Sequence, residues 1–165
     1  MRSALFVLAL AVGVGVFAEQ SPRLGQPVDQ DAVESITVYA DGRGLPPGQG
    51  TADQGAGLYN VHCVACHGPD GEQGLNDQLA GGELPYKRTI GTYWPYAPTV
   101  FDYIRRAMPY HGAGQLTNDE TYALVAYLLH LNDIVDSDEV IDAAALAAIE
   151  MPAREIFFSS FPLPE

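Results

Sequence analysis

The feature that most constrains this chain is the pentapeptide Cys63-Val64-Ala65-Cys66-His67, which holds the only two cysteines of the sequence. Residues three apart lie on one face of a helical turn, so both thiols can reach the same bound group. The spacing, with a histidine directly after it, is typical of covalent attachment of a c-type haem, in which the thiols bond to the vinyl groups and His67 ligates the iron. The sequence therefore predicts one covalently bound haem c that supplies part of the core.

Three other interpretations of the cysteine pair are weaker. A thioredoxin-like redox pair would need a βαβ pattern around it, and the sequence shows none. A structural zinc site needs about four ligands, and only one pair of sulfurs is available. A chance match is the remaining alternative. It is less expected for an exported protein, whose cysteines are usually held in stable covalent bonds outside the cytosol.

The second axial ligand of the iron must come from elsewhere in the chain. The candidates are Met108, Met151, His62, His111 and His130. Met108 lies at the end of an apolar helical stripe just before Pro109, and a thioether there would give the His/Met ligation of electron-transfer cytochromes. We therefore predict His67 and Met108 as the iron ligands, with His111 as the main rival.

Two further side chains are candidates for contacts to the haem. Trp94 would line the haem edge, although an aromatic residue in a small domain is often only a core residue. Arg105 would pair with a haem propionate or would simply face water, and the same alternatives hold for Arg106. The predicted cofactor-binding residues are Cys63, Cys66, His67, Met108, Trp94 and Arg105.

Apolar periodicity predicts an all-α protein. Helices are expected over residues 51–62, 100–107, 118–131 and 140–149, and loops over most of residues 68–98. Thr51 and Thr99 are expected to cap the first and second helices, and Thr117 forms a capping box with Glu120 at the start of the third. The third helix is apolar on nearly all sides, which is typical of a buried helix.

The composition divides the chain into four segments. Residues 1–18 match an export signal that is cleaved before Glu19, because Arg2 precedes an apolar run that is too short to span a membrane. Residues 19–50 are rich in proline and glycine and are expected to form an extended arm. Residues 51–133 would form the haem domain, and residues 134–165 a C-terminal helix and tail. The mature protein is predicted to be periplasmic, without a stable membrane span.

The charge of the chain excludes one class of partner. With 8 basic and 21 acidic side chains, the formal net charge is -13, which is incompatible with binding nucleic acid through its phosphates. Removal of residues 1–18, whose only charge is Arg2, would make it -14. Such a surface favours a partner protein with a cationic patch.

On these residues the chain resembles class I cytochromes c. In that family a small residue and an aromatic residue of the first helix pack on the last core helix, and Gly55, Tyr59 and their partner Tyr127 match those positions. Residues 41–48, 93–97, 101–109 and 123–132, with the later Met151-Pro152, are similar to the cytochrome subunits of periplasmic sulfite and sulfane-sulfur dehydrogenases. The resemblance implies a class I cytochrome c fold. It also implies an electron donor that carries a molybdenum cofactor on a separate catalytic subunit.

We therefore expect an electron-transfer cytochrome that is not an enzyme by itself but serves an oxidoreductase complex in the oxidation of sulfite or another sulfur compound. Its electrons would pass one at a time to a downstream cytochrome or oxidase. The alternative is a free-standing periplasmic carrier for another dehydrogenase or a terminal oxidase. A rival from a different class is a five-coordinate haem enzyme or gas sensor, in which Met108 is not bound. The arm over residues 19–50 is the expected contact for a catalytic subunit.

Overall fold

The computed structural model describes residues 29–83 and 87–158. The helices of these residues are α1 (Gln30–Ile36), α2 (Ala52–His62), α3 (Val64–His67), α4 (Ile90–Tyr93), α5 (Ala97–Ala107), α6 (Asn118–His130) and α7 (Ala143–Ala148), with 3₁₀ turns at Tyr110–Gly112 and Pro152–Ile156. The strands of the described part, β1 (Gln49–Gly50) and β2 (Ile141–Asp142), have two residues each. The predicted all-α class is confirmed.

Helices α2 and α6 pack closely against each other. A Cβ atom on Gly55 would lie 2.0 Å from the Ala123 carbonyl oxygen, so only a glycine lets the two helices approach this closely. One turn further, Tyr59 is fully buried and its ring lies 5.2 Å from that of Tyr127. The predicted contact of the first helix with the last core helix is confirmed.

Helix starts follow local side-chain chemistry in two of the three predicted cases. Thr51 caps α2, and Thr117 forms the predicted capping box with Glu120 at the start of α6. The predicted start of the second helix is wrong, because α5 begins at Ala97 rather than after Thr99. Pro98 occupies the first turn, where its fixed φ suits a helix and its missing N–H is not needed.

The C-terminal helix is shorter than predicted because a strand takes its first residues. Ile141 and Asp142 pair antiparallel with Gly50 and Gln49, and Asp142 then caps α7 by accepting a hydrogen bond from the Ala145 N–H. The helix therefore covers Ala143–Ala148 instead of residues 140–149. This pairing joins the end of the arm to the C-terminal segment, and Gly50 lies against the backbone of α6.

The described part of the arm packs on its own domain. The Gln49 N–H donates to Asp119 Oδ1 at 2.8 Å, and the Tyr122 hydroxyl donates to the Pro46 carbonyl at 2.8 Å. Asn118 Nδ2 donates to the Pro47 carbonyl at 3.1 Å. Helix α1, which was not predicted, precedes this stretch.

Some predictions fall on parts of the chain that the structure does not describe. The export signal over residues 1–18 and the start of the arm lie outside the described residues, as do the last seven residues of the predicted tail. None of the helices in residues 29–83 and 87–158 is long and apolar enough to cross a membrane.

Candidate haem site

The two cysteines and the histidine lie on one tight turn at the end of α2. Cys63 ends α2, and its carbonyl accepts hydrogen bonds from the N–H groups of Cys66 and His67 at 3.1 and 3.0 Å. Cys63 is half-buried against the core and Cys66 is exposed, and neither is in a disulfide. Burial, with a smaller contribution from Cys66, raises the pKa of the Cys63 thiol to about 11. The turn brings the backbones of the two cysteines close together, and residues three apart on a helical turn share one face, which suits attachment of a haem to both thiols.

His67 is held by a hydrogen bond that fixes its tautomer. Its Nδ1 atom lies 2.7 Å from the carbonyl oxygen of Asp77. A carbonyl oxygen can only accept, so Nδ1 carries a proton, and in the neutral ring the lone pair of Nε2 is then free. This is the arrangement that a metal-ligating histidine uses, since the second hydrogen bond orients the ring and strengthens the ligand.

The loop that follows the cysteine motif wraps closely around it. A Cβ atom on Gly74 would lie 2.3 Å from the Cys66 carbonyl oxygen and 2.5 Å from the His67 Cα atom. The Asn76 N–H donates to the Cys66 carbonyl at 2.9 Å. The Tyr59 hydroxyl donates to the Gly68 carbonyl at 2.9 Å, and burial raises its pKa to about 12, so it remains a neutral donor. The Asp77 carbonyl therefore reaches His67 from a loop that is fixed on both sides.

Met108 lies at the end of α5, where the chain leaves the helix. Its N–H donates to the Ile104 carbonyl at 3.0 Å, its backbone is extended, and its side chain is half-buried against the core. Met151, by contrast, is only 3% exposed and belongs to the core. The assignment of Met108 as a ligand stays a prediction, and its position, accessible at the end of a core helix, is compatible with it.

The histidine alternatives occupy different settings. His111 is exposed in the 3₁₀ turn after Pro109. His130 lies at the end of α6, where Nδ1 is 3.0 Å from the Val135 carbonyl oxygen. His62 is half-buried in the last turn of α2, close enough to Glu120 for its charge to help lower the pKa of that carboxyl group. None of these placements tests which residue binds iron.

The remaining predicted contacts lie on α4 and α5. Trp94 ends α4, is half-buried against the core and meets the Tyr103 ring edge-on at 5.5 Å. Arg105 is half-buried. Its charge lowers the pKa of the Tyr122 hydroxyl group, but burial has the larger effect and raises that pKa to about 12. Arg106 pairs with Asp102 at 2.7 Å and donates to the Ile36 carbonyl of the arm. Contact of Trp94 or Arg105 with a haem stays a prediction.

The residues present fit a covalently attached haem. They supply two thiols on one turn, an imidazole with Nε2 free, and an accessible thioether. Apolar side chains that pack on the core yet stay partly exposed could line a flat apolar ring, namely Val64, Leu79, Trp94, Met108 and Leu116. Within the described ranges no three His, Cys, Asp or Glu side chains converge on a point, so the zinc alternative finds no site there.

Sequence reasoning missed two contributors to this site. The Asp77 carbonyl holds His67, but a backbone contact leaves no mark on residue type. Asn132 donates to the Leu79 carbonyl from the end of α6, and its position in the stretch over residues 123–132 gave no sign of that role. Only the fold brings the Asp77 carbonyl to His67 and Asn132 to the Leu79 carbonyl.

Comparison with known proteins identifies the family of the chain. The family model described as "Cytochrome C oxidase, cbb3-type, subunit III" matches residues 50–128. A chain in the crystal structure of the sulfane dehydrogenase SoxCD from Paracoccus pantotrophus is 36% identical, with 82% of this chain and 70% of that chain covered and a TM-score of 0.72. No curated protein gives a significant match. The predicted cytochrome c fold and the predicted resemblance to a sulfane-sulfur dehydrogenase are thus confirmed, and the chain belongs to the cytochrome c family.

Proposed function

We propose that this chain is a periplasmic mono-haem cytochrome c that accepts single electrons from a molybdenum-containing dehydrogenase oxidising sulfite or sulfane sulfur. The observation that carries the haem assignment is the pairing of the Cys63–Cys66 turn with a His67 ring whose Nδ1 is bonded to the Asp77 carbonyl. The choice of donor is supported by the likeness to the sulfane dehydrogenase SoxCD, at 36% identity over 82% of the chain.

Each proposed ligand has a separate task. Cys63 and Cys66 would hold the haem by thioether bonds, and His67 and Met108 would bind its iron. When bound, the haem supplies a ferric/ferrous couple that stores one electron. Because His67 and Met108 would both be iron ligands, this chain would carry electrons and perform no substrate chemistry.

A second candidate is a free-standing electron carrier that serves another dehydrogenase or a terminal oxidase. The part of this candidate that concerns a terminal oxidase is supported by the family model, whose description names a cytochrome oxidase subunit. The haem ligands would be the same, and only the stable complex with a catalytic subunit would be missing. Size-exclusion chromatography of native protein separates the two candidates, since co-elution with a larger molybdenum-containing subunit supports the first and elution alone supports the second.

The haem assignment is tested by intact mass and absorption spectroscopy of protein purified from its native periplasm. We expect a chain that begins at Glu19 and carries one haem through two thioether bonds. Cys66→Ser should retain haem by a single thioether bond, and the Cys63→Ser/Cys66→Ser double variant should carry none covalently. A single haem that remained covalently bound in the double variant would contradict the proposed attachment.

The electron donor is tested by adding sulfite to the oxidised native preparation and following the haem α-band. Reduction that requires a co-purifying larger subunit supports the proposed complex. Reduction by dithionite but not by sulfite or a sulfane-sulfur compound would leave a cytochrome c and overturn the proposed donor. Reduction of the purified cytochrome by sulfite alone would contradict the claim that this chain performs no substrate chemistry.

A further inference from the structure

We propose that Asn132 is a positioning residue that holds the Asp77 carbonyl against His67 and thereby lowers the reduction potential of the haem iron. The inference rests on the proposed function, because it assumes that His67 binds iron. It concerns a side chain that neither the sequence motifs nor the comparisons assign a role.

Asn132 ties three parts of the fold together through one amide. Its Nδ2 atom donates to the Leu128 carbonyl of α6 at 2.8 Å and to the Leu79 carbonyl of the loop at 3.1 Å. Its Oδ1 atom accepts from the Gly91 N–H of α4 at 3.1 Å, with the Thr89 hydroxyl at 3.4 Å. Both donor hydrogens of the amide are therefore used, and its acceptor faces two further groups.

The loop carbonyl that Asn132 holds lies two residues after the one that binds His67. Along this stretch the Asn76 N–H is bonded to the Cys66 carbonyl at 2.9 Å, and the Asp77 carbonyl is 2.7 Å from His67 Nδ1. The Leu79 carbonyl is then bonded to Asn132. Asp77 therefore lies in a loop segment that is hydrogen-bonded to the cysteine motif on one side, through Asn76, and to Asn132 on the other, through Leu79. The segment itself is neither helix nor strand.

Backbone bonds support the second anchor but do not replace it. The Leu79 N–H donates to the Gly71 carbonyl at 2.8 Å, and the Ile90 N–H donates to the Leu79 carbonyl at 3.0 Å. The first bond runs to a neighbouring loop and the second to the first residue of α4. Asn132 is the contact that connects the Leu79 peptide to α6, so it fixes the loop relative to the helix that packs at the centre of the fold.

The strength of the His67–Asp77 hydrogen bond affects the reduction potential of the iron, because the imidazole of His67 would be an iron ligand. A stronger hydrogen bond from Nδ1–H makes Nε2 a more basic ligand and favours the ferric state, which lowers the potential. If Asn132 is lost, the Asp77 carbonyl should move more freely and the bond should weaken. We expect the potential to rise and the Nδ1 proton to exchange faster with solvent.

The test compares Asn132→Ala with the matched control Asn118→Ala in the haem-bearing full chain. Asn118 lies at the other end of α6 and donates to the Pro47 carbonyl of the arm at 3.1 Å, so its loss should affect stability without reaching the loop. Spectroelectrochemical titration gives the potential, and proton NMR gives the exchange rate of His67 Nδ1–H. A rise in potential and faster exchange in Asn132→Ala only would support the proposal. Values equal to wild type in Asn132→Ala would overturn it.

A second variant guards against failure of Asn132→Ala to fold. Asn132→Asp keeps the shape and the acceptor for Gly91 but loses both amide donors, so the Nδ1 proton should again exchange faster. The new carboxylate would itself lower the potential, and proton exchange is therefore the deciding measurement for this variant. Unchanged exchange would overturn the inference alone, whereas wild-type protein without covalent haem would overturn the proposed function together with it.

Discussion

At the residue scale, the proposed iron coordination requires a choice between two methionines that have the same sequence neighbour. Met108 and Met151 each precede a proline. Met108 is half-buried at the end of α5, whereas Met151 is 3% exposed among core side chains. An iron ligand needs a sulfur that the metal can reach, so Met108 suits ligation and Met151 suits packing.

We predict that Met108→Ala converts the ferric haem from low spin to high spin and lets the reduced protein bind carbon monoxide rapidly. Met151→Ala should keep the low-spin spectrum and instead lower the free energy of unfolding by about 2–5 kcal/mol, as expected for a truncated core methionine. Absorption spectra, carbon monoxide binding and denaturant titration measure these effects. A low-spin spectrum in Met108→Ala would assign the ligand to another residue, and His111→Ala would be the next variant to examine.

The side chains of this site could be predicted more fully than its backbone. The two thiols and His67 share a pentapeptide, so their spacing alone indicates the chemistry. The Asp77 carbonyl and Asn132 could not be predicted, because a carbonyl oxygen belongs to every residue type and the Asn132–Leu79 bond joins residues 53 positions apart. Contacts of this kind exist only once the chain has folded.

At the element scale, the α2–α6 crossing offers a matched pair of glycines. Gly55 faces α6, where a Cβ atom would lie 2.0 Å from the Ala123 carbonyl oxygen, whereas Gly57 has nothing within 4 Å of such an atom. We predict that Gly55→Ala lowers the free energy of unfolding by about 1–3 kcal/mol through overpacking. Gly57→Ala should raise it by up to about 1 kcal/mol, because alanine has the higher helix propensity. Denaturant titration measures the free energy of unfolding of each variant. Equal values for Gly55→Ala and Gly57→Ala would contradict the close approach of the helices.

The capping boxes of α2 and α6 differ in one ionisable group. In α6 the Thr117 N–H donates to Glu120 at 2.8 Å, and hydrogen bonds from Thr117 hold the pKa of Glu120 below its ordinary value. In α2 the Thr51 N–H donates to the neutral Gln54 at 3.0 Å. A carboxyl group whose folded pKa is lowered stabilises the fold above its unfolded pKa, and this contribution disappears as the pH falls through the folded pKa.

We therefore predict that Glu120→Ala destabilises the protein at neutral pH and that its effect shrinks as the pH falls below about 4, the range in which glutamate takes up a proton. Gln54→Ala should cost a similar amount, about 1 kcal/mol as for other cap losses, but with no such pH dependence. Thermal unfolding of both variants at each pH is the measurement. An effect of Glu120→Ala that stayed constant into the acid range would contradict the role of its carboxylate in the cap.

The starts of α2 and α6 could be predicted from local signals, whereas α4, which also has a capping box at Thr89, was expected to be loop, and the strands could not be predicted. Thr51 and Thr117 mark the starts of α2 and α6, because each forms a capping box with a residue in the first turn of its helix. The short strands at Gln49–Gly50 and Ile141–Asp142 form only because the arm and the C-terminal segment meet on α6. The expected helix over residues 140–149 therefore lost its first residues to a pairing that no local pattern reveals.

At the scale of the whole molecule, the formal net charge of -13 bears on how a partner approaches. The described part of the arm is already engaged with α5 and α6 through Ile36, Pro46 and Pro47. Recognition by a catalytic subunit would then depend more on the charge of the folded surface than on an arm free to wrap it. Deletion of residues 19–44 without loss of co-purification would support this view.

Long-range attraction by an acidic surface predicts salt-sensitive association with a basic partner. The Debye length falls from about 30 Å at 0.01 M to about 10 Å at 0.1 M ionic strength. At the higher ionic strength, charges on the two proteins therefore attract one another only when the proteins are already close together. We predict that the bimolecular rate of reduction by the dehydrogenase falls at least tenfold over this range. Stopped-flow spectroscopy of the haem α-band measures the rate, with reduction by an uncharged hydroquinone as the control that salt should leave unchanged. A rate of reduction by the dehydrogenase that is indifferent to ionic strength would show that apolar contacts guide the encounter, and the net charge would then have no part in choosing the partner.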